Sequence, residues 1–154
     1  MIPSFNQFTT KAKEAIRRAH EIAIERGLSH VTALHMLAAL VFQEESMVVS
    51  LLDAMAIDTV LLTDNIIEEI EPAEQMQTVA QSYQMYLTDD LGKIFEASPK
   101  VAESMKDAFV SSEHLFLALL TIEGPAKNML ARFKVDLETA REKVLELRQN
   151  KNVD

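Results

Sequence analysis

Val110-Ser-Ser-Glu-His-Leu-Phe-Leu-Ala-Leu-Leu-Thr-Ile122 decides the reading of this chain, because the chain holds the stretch twice. The earlier copy is Val31-Thr-Ala-Leu-His-Met-Leu-Ala-Ala-Leu-Val-Phe42. Val31 corresponds to Val110, Thr32 to Ser111, His35 to His114, and Ala39 and Leu40 to Ala118 and Leu119. Self-similarity at a fixed offset marks a repeat architecture. Beyond its hydroxyl residue each copy is apolar nearly all round, and a helix apolar on every face belongs inside a core. Thr32 and Ser111 suit N-caps, where a hydroxyl accepts from an orphan backbone N–H. The chain therefore reads as two buried helices, each the spine of one half.

Upstream of the first spine, Phe8, Ala12, Ala15, Ile16, Ala19 and Ala23 recur at helical spacing, and Gly27 is placed to end that helix. Residues 1–6 read as a lead-in. After the spine, Ser46 caps a third helix with Val48, Leu51, Leu52 and Met55 inward. Asp58 caps a fourth with Leu61, Leu62, Ile66, Ile67 and Ile70 inward, stopped by Pro72. Thr88 opens the second half as a hydroxyl cap, with Asp89 and Asp90 in the first turn. The stripe Leu91, Ile94, Phe95, Ala102 and Met105 follows, interrupted by Pro99, where the helix is expected to kink or restart at Ser98. The second spine runs to Ile122 and is broken by Gly124 and Pro125. Pro125 opens a short helix through Met129, Leu130 and Phe133. Asp136 caps the last helix, with Leu137, Ala140, Val144 and Leu147 inward and the residues from Gln149 on frayed. Thr9 and Thr88 share the spines' offset. Leu52 and Leu130, and Asp58 and Asp136, share an offset one residue shorter, as one insertion after the first spine requires. The expectation is an all-α fold of about eight helices in two pseudo-symmetric four-helix repeats within one domain. Repeat one spans 8–71, a polar connector 72–86, repeat two 87–149 and a polar tail 150–154.

Composition agrees with helices: 48% of the 154 residues are apolar, with three glycines and four prolines. The absence of cysteine excludes a disulfide framework and thiolate metal sites. There is no uninterrupted run of about 18 apolar residues and no basic segment followed by an apolar one at the N-terminus, so no membrane span or signal peptide is read and a cytoplasmic protein is expected. A net charge of −9 argues against nucleic acid as a partner. No G-x-x-x-x-G-K motif followed by Ser or Thr is present, so this chain is not expected to hydrolyse ATP, and no cofactor is expected in it. His35 and His114 lack a His-Glu-x-x-His pattern; a hydrogen-bonded structural histidine at a helix start suits them better than metal ligation. Among the eight methionines, Met36, Met55, Met105 and Met129 fit core stripes better than an adaptable binding surface.

The pattern resembles the Clp N-terminal domain, the doubled four-helix repeat at the front of the Clp unfoldases and disaggregases. The residues that carry the resemblance are Phe8 and Thr9 with Ala15, Ala19 and Ala23 behind them, His35 within Thr-Ala-Leu-His-Met-Leu, and Asp107-Ala-Phe-Val-Ser-Ser-Glu-His-Leu115. The closing Leu147 and Arg148, followed by polar residues and Val153, are most similar to the ClpB disaggregases. The resemblance implies a substrate- or adaptor-binding domain of an ATP-dependent disaggregating chaperone, taking exposed apolar segments of unfolded or aggregated polypeptides. ATP and magnesium would then belong to the parent protein's ATPase domains, and the parent would be a hexamer. The isolated domain, lacking a coiled-coil seam, is expected to be a monomer. The alternatives are the N-domain of a ClpA- or ClpC-type protease unfoldase that binds adaptors, and a free-standing regulatory protein of the same fold.

The resemblance also implies site residues. Thr9, Asp107 and Glu113 match the threonine, aspartate and glutamate tied to client binding. Apolar burial would supply affinity, and rim carboxylates would favour basic neighbours in the client. Against this stand plainer roles: a helix cap for Thr9, a loop acid for Asp107, and for Glu113 an acid favoured by the dipole of a helix's first turn. Ala97, Val101 and His114 fall where the family tends to place groove-lining leucines, which implies a shallower and more polar surface. ClpC-like domains read phosphorylated arginine through a glutamate before each spine histidine; Glu113 matches in the second half and Leu34 replaces it in the first.

Overall fold

The computed structural model describes residues 5–70 and 86–152. Among them run α1 (Thr10–Glu25), β1 (His30–Val31), α2 (Ala33–Phe42), α3 (Met47–Ala54), α4 (Thr59–Ile70), β2 (Tyr86–Leu87), α5 (Asp89–Ser104), α6 (Ser112–Leu119), α7 (Pro125–Arg132) and α8 (Leu137–Asn152). The fold is all-α, with the spines α2 and α6 packed against each other at the centre. Met36, Leu37, Leu40 and Phe116 are fully buried there. Burial of each such side chain stabilises the fold by about 2–3 kcal/mol. α1 packs on α2 and α5 on α6. The short helices cross over, α3 lying on α6 and α8, and α7 on α2. No single helix among the described residues is long and apolar enough to cross a membrane.

The halves share their helix ends as well as their helices. α1 begins where the Thr9 hydroxyl accepts from the Ala12 N–H at 3.1 Å. It ends in a Schellman turn: Leu28 N–H donates to the Ala23 carbonyl and Gly27 N–H to that of Ile24, with Gly27 at φ +69°. α5 ends the same way, with Asp107 N–H donating to Ala102, and the glycine's place is taken by Lys106 at φ +63°. α3 and α7 match as a second pair, with Ala56 and Lys134 in the left-handed region. These turns fall at equivalent places in the two repeats, as a duplicated backbone requires.

The halves are also cross-linked by backbone. β1 pairs with β2 in parallel, Val31 opposite Leu87, and Phe8 pairs in parallel with Val110. Phe8 and Leu87 precede the first helix of their repeats; Val31 and Val110 precede the spines. So the entry of each repeat pairs with the spine entry of the other. Thr9 N–H donates to Val110 O and Val110 N–H to Gln7 O, both at 2.8 Å; Thr88 N–H donates to Val31 O and Tyr86 N–H to Ser29 O, both at 3.0 Å. Phe8 is buried here, edge-on to Phe5, which stands edge-on to Phe95 of the other half.

Several expectations are corrected. α5 does not restart at Pro99: the Phe95 carbonyl that lacks a proline N–H accepts instead from the buried Ser98 hydroxyl at 3.1 Å. Leu61 is 51% exposed, because the inward row of α4 is Leu62, Ile66 and Ile70, and Leu61 lies about 100° round the helix from it. Ile67 is only half-buried. α6 stops at Leu119 rather than Ile122; the Thr121 hydroxyl donates to Ala118 O at 2.7 Å and competes with a further helical turn. Thr88 takes the N-cap position, but its hydroxyl donates to the Asp90 carboxylate instead of accepting from the backbone. α8 continues through residues expected to fray, as far as Asn152. The Pro72 stop and the connector lie outside the described residues, apart from Tyr86, which belongs to β2.

Phe8→Ala should cost about 3 kcal/mol and lower the urea midpoint of the whole domain as one transition. Tyrosine fluorescence and far-UV circular dichroism should move together; separate transitions for the two halves would contradict the cross-linked entry.

Candidate functional site

Two features stand out in the second repeat, a partly buried charge network and a cleft beside it. Each spine opens with a histidine as the reciprocal partner of the N-cap. Thr32 N–H donates to His35 Nδ1 at 3.0 Å, and Ser111 N–H to His114 Nδ1 at 2.9 Å. Glutamate or glutamine commonly fills this place in a capping box. With Nδ1 accepting, the ring proton sits on Nε2. From there the two copies diverge. His114, 1% exposed, donates from Nε2 to Asp107 Oδ2 at 2.8 Å. Arg148 on α8 reaches the same Asp107 oxygen at 2.7 Å through Nη1 and Glu113 Oε2 at 2.9 Å through Nη2. The 3.4 Å approach of Arg148 Nη2 to His114 Nε2 is then a contact between two donors, not a bond. In the first repeat the equivalents of Asp107, Glu113 and Arg148 are Leu28, Leu34 and Ile70. His35, as buried as His114, has no partner for Nε2 among the described residues.

The electrostatics follow. Burial works against ionisation of Asp107, but the bonds from Arg148 and His114 outweigh it and hold its carboxyl below the usual range. Burial also opposes ionisation of Glu113; the Ser111 hydroxyl and Arg148 outweigh it and depress its pKa. Burial pulls Arg148 down, and the two carboxylates more than restore it, so its pKa is raised. His35 is lowered to about 4, first by burial and then by the charge of Arg26.

Asp107 is set by the Schellman turn that ends α5, Glu113 and His114 by the first turn of α6, and Arg148 by α8. The network therefore ties α8 to the junction of α5 and α6. Farther along these helices lies a cleft of about 280 Å³ lined by Ala97, Lys100, Val101, Ser104, Leu117, Thr121, Leu137 and Arg141. The expected site residues thus fall in three places. Ala97 and Val101 line the cleft. Asp107, Glu113 and His114 form the network, with Glu113 only 8% exposed and His114 1% exposed. Thr9 caps α1 and is bonded through its backbone to Val110. Asp107 also faces a second, more polar cleft with Gln7, Pro99, Lys106 and Val110. Arg148 was not among the expected site residues. Its signal was a basic residue four positions after Val144, on a row where Ala140 and Val144 are buried. Among the described residues no group of three or more His, Asp or Glu side chains could hold a metal ion.

Comparison with known proteins gives a family. The model of the Clp repeat (R) N-terminal domain matches residues 7–133. Chaperone protein ClpB of Nitratidesulfovibrio vulgaris is 33% identical over 141 residues, 90% of this chain and 16% of its own length. The chain spans about a sixth of the length of the curated relatives it matches. Among solved structures, the Hsp104 N-terminal domain from Candida albicans superposes with a TM-score of 0.76 at 20% identity, covering 93% of this chain and 92% of that one. The ClpV N-domain in complex with a VipB peptide superposes with a TM-score of 0.59 at 19% identity, over 79% and 74% of the two chains.

Arg148→Met should destabilise the domain by about 2 kcal/mol near neutral pH, below the range for a fully buried pair because Arg148 and Asp107 keep some contact with water. The deficit should shrink on acidification. The depressed carboxyls contribute stability above their unfolded pKa values and lose it as pH falls through the folded ones, whereas in the variant protonation relieves two unpaired carboxylates. Urea melts across the acid range check this. His35 contributes on the other side of the same range. Its folded pKa lies below the unfolded value, so the unfolded chain binds the extra proton between them and stability falls as pH drops from 6.5 toward about 4. His35→Gln keeps an acceptor for the Thr32 N–H. From about pH 7.5 to about pH 5 it should lose roughly 2 kcal/mol less than the wild type; parallel pH profiles would refute this account of His35.

Proposed function

The chain belongs to the Clp N-terminal domain family, and from that premise we propose that it is the substrate-docking domain of a ClpB-like disaggregating chaperone. On this reading the cleft between α5, α6 and α8 receives exposed apolar segments of unfolded or aggregated polypeptides. Ala97 and Val101 meet the segment from α5, with Leu117 and Leu137 beside them. Burial of apolar surface supplies an affinity that does not depend on a particular client sequence. Asp107, Glu113 and His114 act one step back: through Arg148 they fix α8 against α5 and α6, and so set the spacing of the cleft walls. Thr9 anchors the loop that leads to the second spine, through its backbone bond to Val110. The residues here bind polypeptide and perform no chemistry of their own. ATP hydrolysis, the magnesium it needs and the hexameric ring belong to the parent chaperone, acting in the cytoplasm.

The observation that carries this reading is the contrast between repeats at the cleft. At the equivalent face of repeat one, Phe42 stands in place of Thr121 and Arg18 in place of Ala97. At these two positions repeat one carries the larger side chain, while Ala38, Thr59 and Thr63 are smaller than their counterparts Leu117, Leu137 and Arg141. A dedicated peptide partner, in place of promiscuous clients, is the second reading; the ClpV N-domain in complex with a VipB peptide favours it.

Titration of the isotope-labelled chain with a permanently unfolded, apolar polypeptide should shift amide resonances at Ala97, Val101, Leu117 and Leu137. The double variant Ala97→Arg/Thr121→Phe, which places the two larger residues of repeat one in the cleft, should lose those shifts while keeping its melting temperature. Saturable binding by a short specific peptide alone, with none by unfolded polypeptide, would replace the first reading by the second. Shifts confined to other surfaces would remove the cleft from both.

A further inference from the structure

The cleft between α5, α6 and α8 contains no carboxylate, although the chain carries a net charge of −9. Its apolar surface comes from Ala97, Val101, Leu117 and Leu137, and its charges are Lys100 on one wall and Arg141 on the other. Both are exposed, and neither forms an ion pair among the described residues.

Repeat one supplies an internal control. Glu21 and Glu25 take the places of Lys100 and Ser104, and Thr63 that of Arg141. There Arg18 is held by Glu25 at 3.1 Å and Glu21 at 3.5 Å, so the face satisfies its own charge. Repeat two carries neither acid, has Lys100 on the wall where repeat one has Arg18, has Arg141 where repeat one has Thr63, and pairs neither cation among the described residues. Asp107 and Glu113 form no ion pair with either cation: both are bonded to Arg148, and Asp107 to His114 as well. Arg148 offsets one of the two acids that the sequence suggested would attract basic clients, which leaves the network with one net negative charge, and neither acid lines this cleft. Among the residues that line this cleft, the charged ones are both positive.

We infer that the cleft selects apolar polypeptide segments that carry aspartate or glutamate among their apolar residues, with Lys100 and Arg141 meeting those carboxylates. The inference rests on the docking role proposed above and names the class of segment. Apolar burial provides the contact, and the two rim cations provide the choice of sign and a faster encounter. A segment bearing lysine at the same positions meets like charge on both walls and is rejected.

The test uses the labelled full chain and three synthetic peptides with the same apolar residues and Asp, Asn or Lys at the intervening positions. The Asp peptide should bind about tenfold tighter than the Lys peptide, two rim pairs being turned from attraction to repulsion. Its shifts should centre on Ala97, Val101, Leu117 and Leu137, and the difference should shrink with added salt. The Lys100→Glu/Arg141→Glu variant, altered only at exposed side chains, should reverse the order of the peptides. Equal affinity for all three with shifts at the cleft, or a preference for the Lys peptide, would overturn the charge selection and leave the docking role standing. Absence of cleft shifts with every peptide, and with unfolded polypeptide, would overturn both.

Discussion

The fold depends on an exchange of backbone hydrogen bonds between its two halves. Phe8 pairs with Val110 and Leu87 with Val31, so the segment that enters each repeat is held by the other. Few hydrogen bonds are involved, and each adds about 1 kcal/mol net. Their effect is geometric. They fix where α1, α2, α5 and α6 begin, and the capping bonds at Thr9, Thr32 and Ser111 build on those positions. Once the four starts are set, the two apolar spines face each other and the outer helices close around them.

Within that frame the repeats differ where function is proposed. The same three-helix junction is filled by Leu28, Leu34 and Ile70 in one copy and by Asp107, Glu113 and Arg148 in the other. The apolar version leaves the His35 ring N–H without a partner among the described residues; the charged version satisfies its counterpart on His114. Taking three charges partly out of water is expensive, and well-packed apolar residues often serve stability as well or better. The network therefore has no evident advantage as a stabilising device alone. What it provides is direction: an arginine forked between two carboxylates fixes α8 in orientation as well as distance, which apolar contacts do less strictly.

Much of this was legible in the sequence, and the parts that were not share a physical cause. The spines, their caps and the offset between repeats depend on residues three or four apart, and the fold class followed from them. The reciprocal pairing was not legible, because strands of two residues show no alternation. That α5 runs on past Pro99 without restarting was not legible, because the Phe95 carbonyl is satisfied by the neighbouring Ser98 hydroxyl, a side-chain bond that periodicity does not contain. Arg148 was missed because its partners lie 35 residues and more away, at Glu113 and Asp107. Asp107 and Glu113 were found through resemblance, but their engagement with Arg148, which decides what charge they present, required the fold. The cleft was half visible: the exchanges of Phe42 for Thr121 and Arg18 for Ala97 are in the sequence, whereas the wall supplied by α8 is not.

The exchanged entry segments carry one further consequence. A single repeat of this chain has one donor segment and one receiving edge, and on its own it would satisfy neither. Two separate copies would close the same circle, each lending its entry to the other, which is the geometry of a domain-swapped dimer. The present chain is in effect such a dimer fused into one polypeptide. Fusion frees the halves from having to be identical, and the two copies differ accordingly: one carries an apolar junction, the other a charged junction with a cleft beside it.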